Sequence, residues 1–142
     1  MIKVFFLSFQ IYFLTVVFNI IAGLILCSDN IKEKIPAIAG FIEAINVKQV
    51  KKIAGIGSLV AGVFKLILPV GVIIIGDFIP AVVSFGLGFA LLTEFLKDSS
   101  IFSSGTAQKI DDLLSNYKNT IGGIGLLVAA VHFLFAGVPV LI

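Results

Sequence analysis

Four stretches of this chain stay apolar for about the 20 residues that a helix needs to cross a bilayer. They are Val4–Leu26, Ile53–Ile75, Ile79–Phe95 and Ile121–Ile142. A soluble core has no room for them. The chain is 59% hydrophobic and 13% charged, with a mean hydropathy of +1.19. Soluble domains run at about 45–50% apolar and about 25% charged. A folded domain of this size also leaves roughly a third of its chain surface exposed. That surface must meet lipid. The expected fold class is all-α: a polytopic membrane protein of four transmembrane helices, in one membrane domain over residues 1–142.

One apolar block occurs twice. Ile53–Ile67 reads IAGIGSLVAGVFKLI and Ile121–Phe135 reads IGGIGLLVAAVHFLF, with nine of fifteen positions identical at a shift of 68 residues. This predicts a duplicated unit of span, amphipathic connector and span, with repeat 1 over about 1–76 and repeat 2 over about 77–142. An offset of two spans preserves orientation, so the halves are expected to relate by a parallel pseudo-two-fold axis along the membrane normal. The first spans match poorly at this offset. The duplication therefore rests on spans two and four.

The connectors differ in length. Gly76, Asp77 and Phe78 leave room only for a tight hairpin between spans two and three, with Gly ending one helix and Pro80 opening the next. In Ile31–Val50 the residues Ile31, Ile35, Ile38, Ile42 and Ile45 share one helix face. In Thr106–Tyr117 the stripe is Ile110, Leu113, Leu114 and Tyr117. Both are expected as interfacial helices lying along the membrane, the alternative being a face for a soluble partner. The two long connectors hold eight lysines (Lys32, Lys34, Lys48, Lys51, Lys52, Lys97, Lys109 and Lys118), and the opposite side holds only Lys3. Under the positive-inside rule, the connectors lie in the cytoplasm and both termini outside it, in the inner membrane.

The interior is read from small and polar residues. Ala54, Ser58 and Gly62 form a small-residue row on span two, Gly125 and Ala129 on span four, and Ser84 and Gly88 on span three. Such rows let helix backbones approach closely in lipid. On span one, Ser8, Tyr12, Thr15 and Asn19 share a face that must turn inward, because lipid cannot satisfy it. Lys65 and His132 lie mid-span at neighbouring positions of the two copies, His132 opposite Phe64 and Lys65 opposite Phe133. A charge at that depth costs about 2.5–3.5 kcal/mol on insertion scales. Pro69 denies the carbonyl of Lys65 its helical partner. Lys65, His132, Asn19 and Thr15 are therefore the candidate binding residues. Their structural alternatives are snorkelling of Lys65 or its pairing with Asn19 or Glu94, and a hydrogen-bonded interior His132.

Other chemistry finds little support. No phosphate loop, zinc spacing, metalloprotease or nucleophile-elbow signature occurs. No catalytic residue, cofactor or metal is expected, and the chain is read as a non-enzyme. All ten basic residues are lysine, which argues against bidentate phosphate or base readout and so against a nucleic-acid partner. Cys27 follows Leu26, where a lipoprotein signal needs a small residue, so the first span is expected to stay and the thiol to be buried or interfacial. The repeated Gly-x-Gly is similar to that of the proteolipid rotor subunits of ATPases, but spans two and four carry no carboxylate at mid-depth, and the likeness ends there.

Two functions follow as expectations. One is a small subunit or scaffold of a membrane complex, in homo- or hetero-oligomeric contact with other membrane subunits. The other is an oligomeric channel or transporter for a small solute or anion, built on Lys65 and His132. An integral membrane enzyme is a weaker third.

Overall fold

The computed structural model describes residues 2–67, 78–97 and 103–135. Within them the chain is helical, with no strand. Helix α1 spans Ile2–Leu26, α2 Ser28–Lys34, α3 Ala39–Ile45, α4 Lys48–Ile67, α5 Phe78–Lys97 and α6 Ser104–Leu134, and a 3-10 turn at Pro36–Ile38 joins α2 to α3. Pro69, Asp77, most of the expected hairpin and the distal ends of the second and fourth apolar runs lie outside the described residues.

Four long helices form an antiparallel bundle. Leu59 of α4 meets Gly88 of α5, and Gly62 meets Ala81 and Ser84. Gly23 of α1 meets Gly122 and Leu126 of α6, while Tyr12 reaches His132. The most extensive interfaces are α4 on α5 and α1 on α6; α1–α4 and α5–α6 close the ring, and α1 also touches α5 across the centre. Two crossings depend on missing side chains. A Cβ on Gly88 would stand 2.7 Å from the carbonyl oxygen of Gly55. A Cβ on Gly23 or Gly122 would stand 2.9 Å from the other's carbonyl oxygen. Backbones in such contact gain dispersion from many atom pairs, the main attraction open to helices in lipid. The apolar core lies toward the lysine-rich end, from Ala22, Ile25, Leu26, Ala54, Leu87, Ala90 and Leu91.

Two helices, Phe6–Leu26 and Phe78–Lys97, are long and apolar enough to cross a membrane. The expected span three thus runs two residues past Phe95, and Pro80 sits in its first turn, where a missing N–H costs nothing.

Both connectors depart from expectation. Ile31–Val50 is not one helix. Ile35 precedes Pro36, whose ring disfavours the α region there, and Ile35 takes φ −132°, ψ 74°. The chain breaks, resumes as the 3-10 turn and α3, and ends again at Asn46. Ile42 is buried while Ile35, Ile38 and Phe41 stay exposed. The second connector is not a separate helix lying along a membrane. It is the N-terminal half of α6, which runs unbroken through Lys118, Asn119 and Thr120. No proline interrupts it. Gly122 and Gly123 each weaken a helix by about 1 kcal/mol relative to alanine, and the close contact of Gly122 with α1 offsets that cost.

Candidate functional site

The polar stripe of α1 turns inward. Ser8, Thr15 and Asn19 are buried and Tyr12 is half-buried, while Phe6, Phe9 and Phe13 are exposed. Ser58 and Lys65 on α4, Ser84 and Thr93 on α5 and His132 on α6 are buried as well. The bundle therefore holds a polar column inside an apolar exterior, and its side chains sort into two layers.

The first layer joins Lys65 and His132 through Tyr12. Lys65 is 0% exposed, and its Nζ stands 4.9 Å from the centroid of the Tyr12 ring. At that distance an ammonium is attracted by the negative face of the ring. The Tyr12 and His132 rings lie with centroids 4.6 Å apart, and the Tyr12 hydroxyl donates to the His132 backbone carbonyl. Three helices thus meet at one aromatic ring. The sequence placed Tyr12 on the inward stripe but left it out of the candidate set; its three-residue spacing from Thr15 was the available signal.

The second layer joins Asn19 and Ser84. The Ser84 hydroxyl lies 2.8 Å from Asn19 Oδ1 and 2.7 Å from the Pro80 carbonyl. It carries one proton, so the two acceptors share it. Asn19 is seven residues from Tyr12, about 10 Å along the helix. Thr15 lies between the layers and donates to the Ile11 carbonyl of its own helix at 2.7 Å. The four candidate residues line one column but do not converge on one point.

The structural alternatives for Lys65 are corrected on two counts. Its complete burial excludes snorkelling to an interface. Glu94 accepts from Lys51 at 3.2 Å, and Lys51 lies fourteen residues, about 21 Å, down α4 from Lys65. The helix pitch puts Glu94 and Lys65 at opposite ends of the bundle.

The paired residues for Lys65 and His132 also bear on the repeat. Phe64 and Phe133 are exposed while Lys65 and His132 are buried. The buried face of α4 runs through Ala54, Ser58, Ala61 and Lys65, and that of α6 through Gly122, Gly125, Ala129 and His132. At the shift of 68, the latter corresponds to positions 54, 57, 61 and 64. The similar segments bury the same positions at 54 and 61 and differ by one residue at 57/58 and 64/65.

A second polar site lies at the lysine-rich end, and the sequence did not mark it. Three ion pairs ring this end among the described residues. Lys118 of α6 meets Asp29 of α2 at 2.8 Å, Lys51 of α4 meets Glu94 of α5 at 3.2 Å, and Lys97 of α5 meets Asp111 of α6. The Lys118 ammonium, by hydrogen bond and by charge, holds the Asp29 carboxyl below the usual carboxylate range. The pairs surround a cavity of about 440 Å³. Next to it the Cys27 thiol donates to the Asn119 carbonyl at 3.2 Å, and burial pushes its pKa up. Partners 43 and 89 residues apart are invisible to local pattern reading.

A further cavity of about 470 Å³ is a groove between α1 and α4, lined by apolar residues that include Leu7, Leu14, Phe18 and Val60. Neither cavity is lined by Lys65 or His132. Among the described residues no three of His, Cys, Asp and Glu come together as metal ligands.

No curated protein and no solved structure matches the chain. A family model does match it, over residues 8–132, which takes in both polar layers and all but the outer ends of the first and last long helices. The chain belongs to that family, a family of unknown function.

Proposed function

We propose that this chain is a small non-enzymatic integral membrane protein whose four long helices all cross the bilayer, and that it serves as a subunit or scaffold of a membrane complex. The observation that carries the reading is the distribution of polarity. Ser8, Thr15, Asn19, Ser58, Lys65, Ser84 and His132 are inside, and large apolar side chains are outside on every long helix. On α4 and α6, which carry lysines near one end, Ile53 is 63% exposed, Ile67 65%, Leu127 65% and Leu134 72%. Water would penalise that exterior, and lipid accepts it.

The close crossings at Gly55–Gly88 and Gly23–Gly122 favour a packed bundle over a conduit. The proposal includes the duplicated organisation. A two-fold along the bundle axis exchanges the α1–α4 interface with α5–α6 and the α4–α5 interface with α6–α1, and leaves α1–α5 at the centre. The connectors break the likeness, since one is α2, the 3-10 turn and α3 and the other is fused to α6. The lysine-rich end would face the cytoplasm and both termini the other side of the inner membrane.

Affinity purification in mild detergent tests the reading. A membrane protein should co-elute at a fixed ratio and survive gel filtration. Elution as a lone, monodisperse monomer would overturn it. One observation keeps the transporter reading as second: Lys65 and His132, 67 residues apart, converge on Tyr12 at one buried layer.

A further inference from the structure

The cavity at the lysine-rich end has a layered chemistry. Its floor is apolar, from Ile25, Leu26, Ala90, Leu91 and Leu114, and its rim carries the three ion pairs. At about 440 Å³ it falls in the size range of small-molecule sites, about 300–1,000 Å³. In every pair the lysine is the less exposed partner. Lys51 is 23% exposed against 61% for Glu94, Lys97 30% against 55% for Asp111, and Lys118 40% against 64% for Asp29. The cavity is therefore lined by three cations and three anions, with no net charge on the six groups.

From this balance of charge above an apolar floor we infer that the cavity binds the headgroup of a zwitterionic phospholipid that carries a primary ammonium, its phosphate on the lysines and its ammonium on the carboxylates. Each lysine has three N–H donors and gives one to its carboxylate, so donors remain for phosphate oxygens. Each carboxylate keeps lone pairs for the N–H bonds of an ammonium. Ser28, Asn46, Thr93 and Ser115 add neutral donors and acceptors around the rim. The apolar floor accounts for a lipid in preference to a free headgroup, since it offers contact to the glycerol and the first acyl methylenes. A purely anionic headgroup would leave the carboxylates facing negative charge. A choline headgroup would bring no N–H to them.

The inference rests on the four-span reading, which places this end at the headgroup level. The experiment separates the two. Membranes holding the full chain are first extracted with carbonate; release of the protein would sink the four-span reading and the lipid site with it. Retained protein is then purified in mild detergent, and native mass spectrometry follows binding of added phosphatidylethanolamine, phosphatidylcholine and phosphatidylglycerol. The expected result is retention of phosphatidylethanolamine about tenfold over the other two, as for the loss of one charge-assisted hydrogen bond. Lys51→Gln with Glu94→Gln, and separately Lys118→Gln with Asp29→Asn, should each reduce retention about tenfold with an unchanged circular dichroism spectrum. Two sites are used so that one failure to fold does not decide the matter. Equal or stronger retention of phosphatidylglycerol would reduce the site to a basic surface and overturn the inference. Equal retention of phosphatidylcholine would remove the ammonium contact and do the same. Displacement of lipid by millimolar free phosphoethanolamine would assign the site to a soluble zwitterion instead. Retention unaffected by both double variants, in a protein that resists carbonate, would overturn the lipid site and leave the four-span reading standing.

Discussion

Lys65 is the residue whose chemistry is hardest to reconcile with its place. It is fully buried and rests against the face of Tyr12. If this arrangement is structural, Lys65→Leu places an apolar side chain beside Tyr12 and removes a buried charge. Thermal melting in detergent should then show equal or higher stability, by about 1 kcal/mol. Loss of cellular activity at normal abundance and assembly would instead favour transport. Tyr12→Phe keeps the ring and removes the hydroxyl that meets the His132 carbonyl, and should lower stability by about 1 kcal/mol. Asp29 offers a pH test. Lys118 lowers its folded-state pKa, so its stabilising effect is present above the unfolded value of about 3.9 and fades as pH falls through the folded value. The pair is exposed, so the loss should be about 0.2–1 kcal/mol and should vanish in Asp29→Asn, as acid titration of the melting temperature can check. At this scale the sequence revealed the inward stripe, because Ser8, Tyr12, Thr15 and Asn19 follow helical spacing. It did not reveal that Asn19 would meet Ser84, since no local rule links residues 65 apart.

Among the elements, the crossings decide stability. Gly88→Leu drives a side chain into the Gly55 carbonyl and Leu59, and Gly122→Leu drives one into Gly23 and Cys27. Each should destabilise the bundle by about 1–3 kcal/mol in detergent melting, the usual cost of overpacking. Gly86 is the internal control. A Cβ there meets nothing within 4 Å, so Gly86→Ala should stabilise α5 by about 0.5–1 kcal/mol through backbone entropy. The reverse ranking would show that the crossings are placed wrongly. The small-residue rows of α4, α5 and α6 were readable because spacing by four marks a helix face. The connectors were misread for one shared reason. Apolar periodicity says which face is buried but not whether a helix is continuous. Ile35 before Pro36 broke one pattern, and the run from Asn119 to Gly123, with its cap-type and glycine residues, did not stop the other, which is fused to α6.

For the whole molecule, orientation is the open quantity that one experiment settles. A cysteine placed at Ser104 in a Cys27→Ser background should react with an impermeant maleimide only from the cytoplasmic face, and one at Asp77 only from the opposite face. The reverse pattern would invert the bundle; labelling of both from one side would leave fewer than four spans. The all-helical class was legible because apolar runs of helix length recur along the chain, whereas the charged rim was not, because it is assembled from α2, α4, α5 and α6 only after folding. The unbroken α6 adds a mechanical consequence. It is about 46 Å long, held near its middle by Asp29 at Lys118, about 10 Å nearer its start by Lys97 at Asp111, and near its C-terminal end by Tyr12, with no break between. A rod held that way transmits rotation: whatever twists it at the lysine-rich end also turns His132 against the ring that Lys65 rests on. Spin labels at Gln108 and Phe133 should accordingly keep one narrow mutual distance, even in conditions that loosen the rest of the bundle.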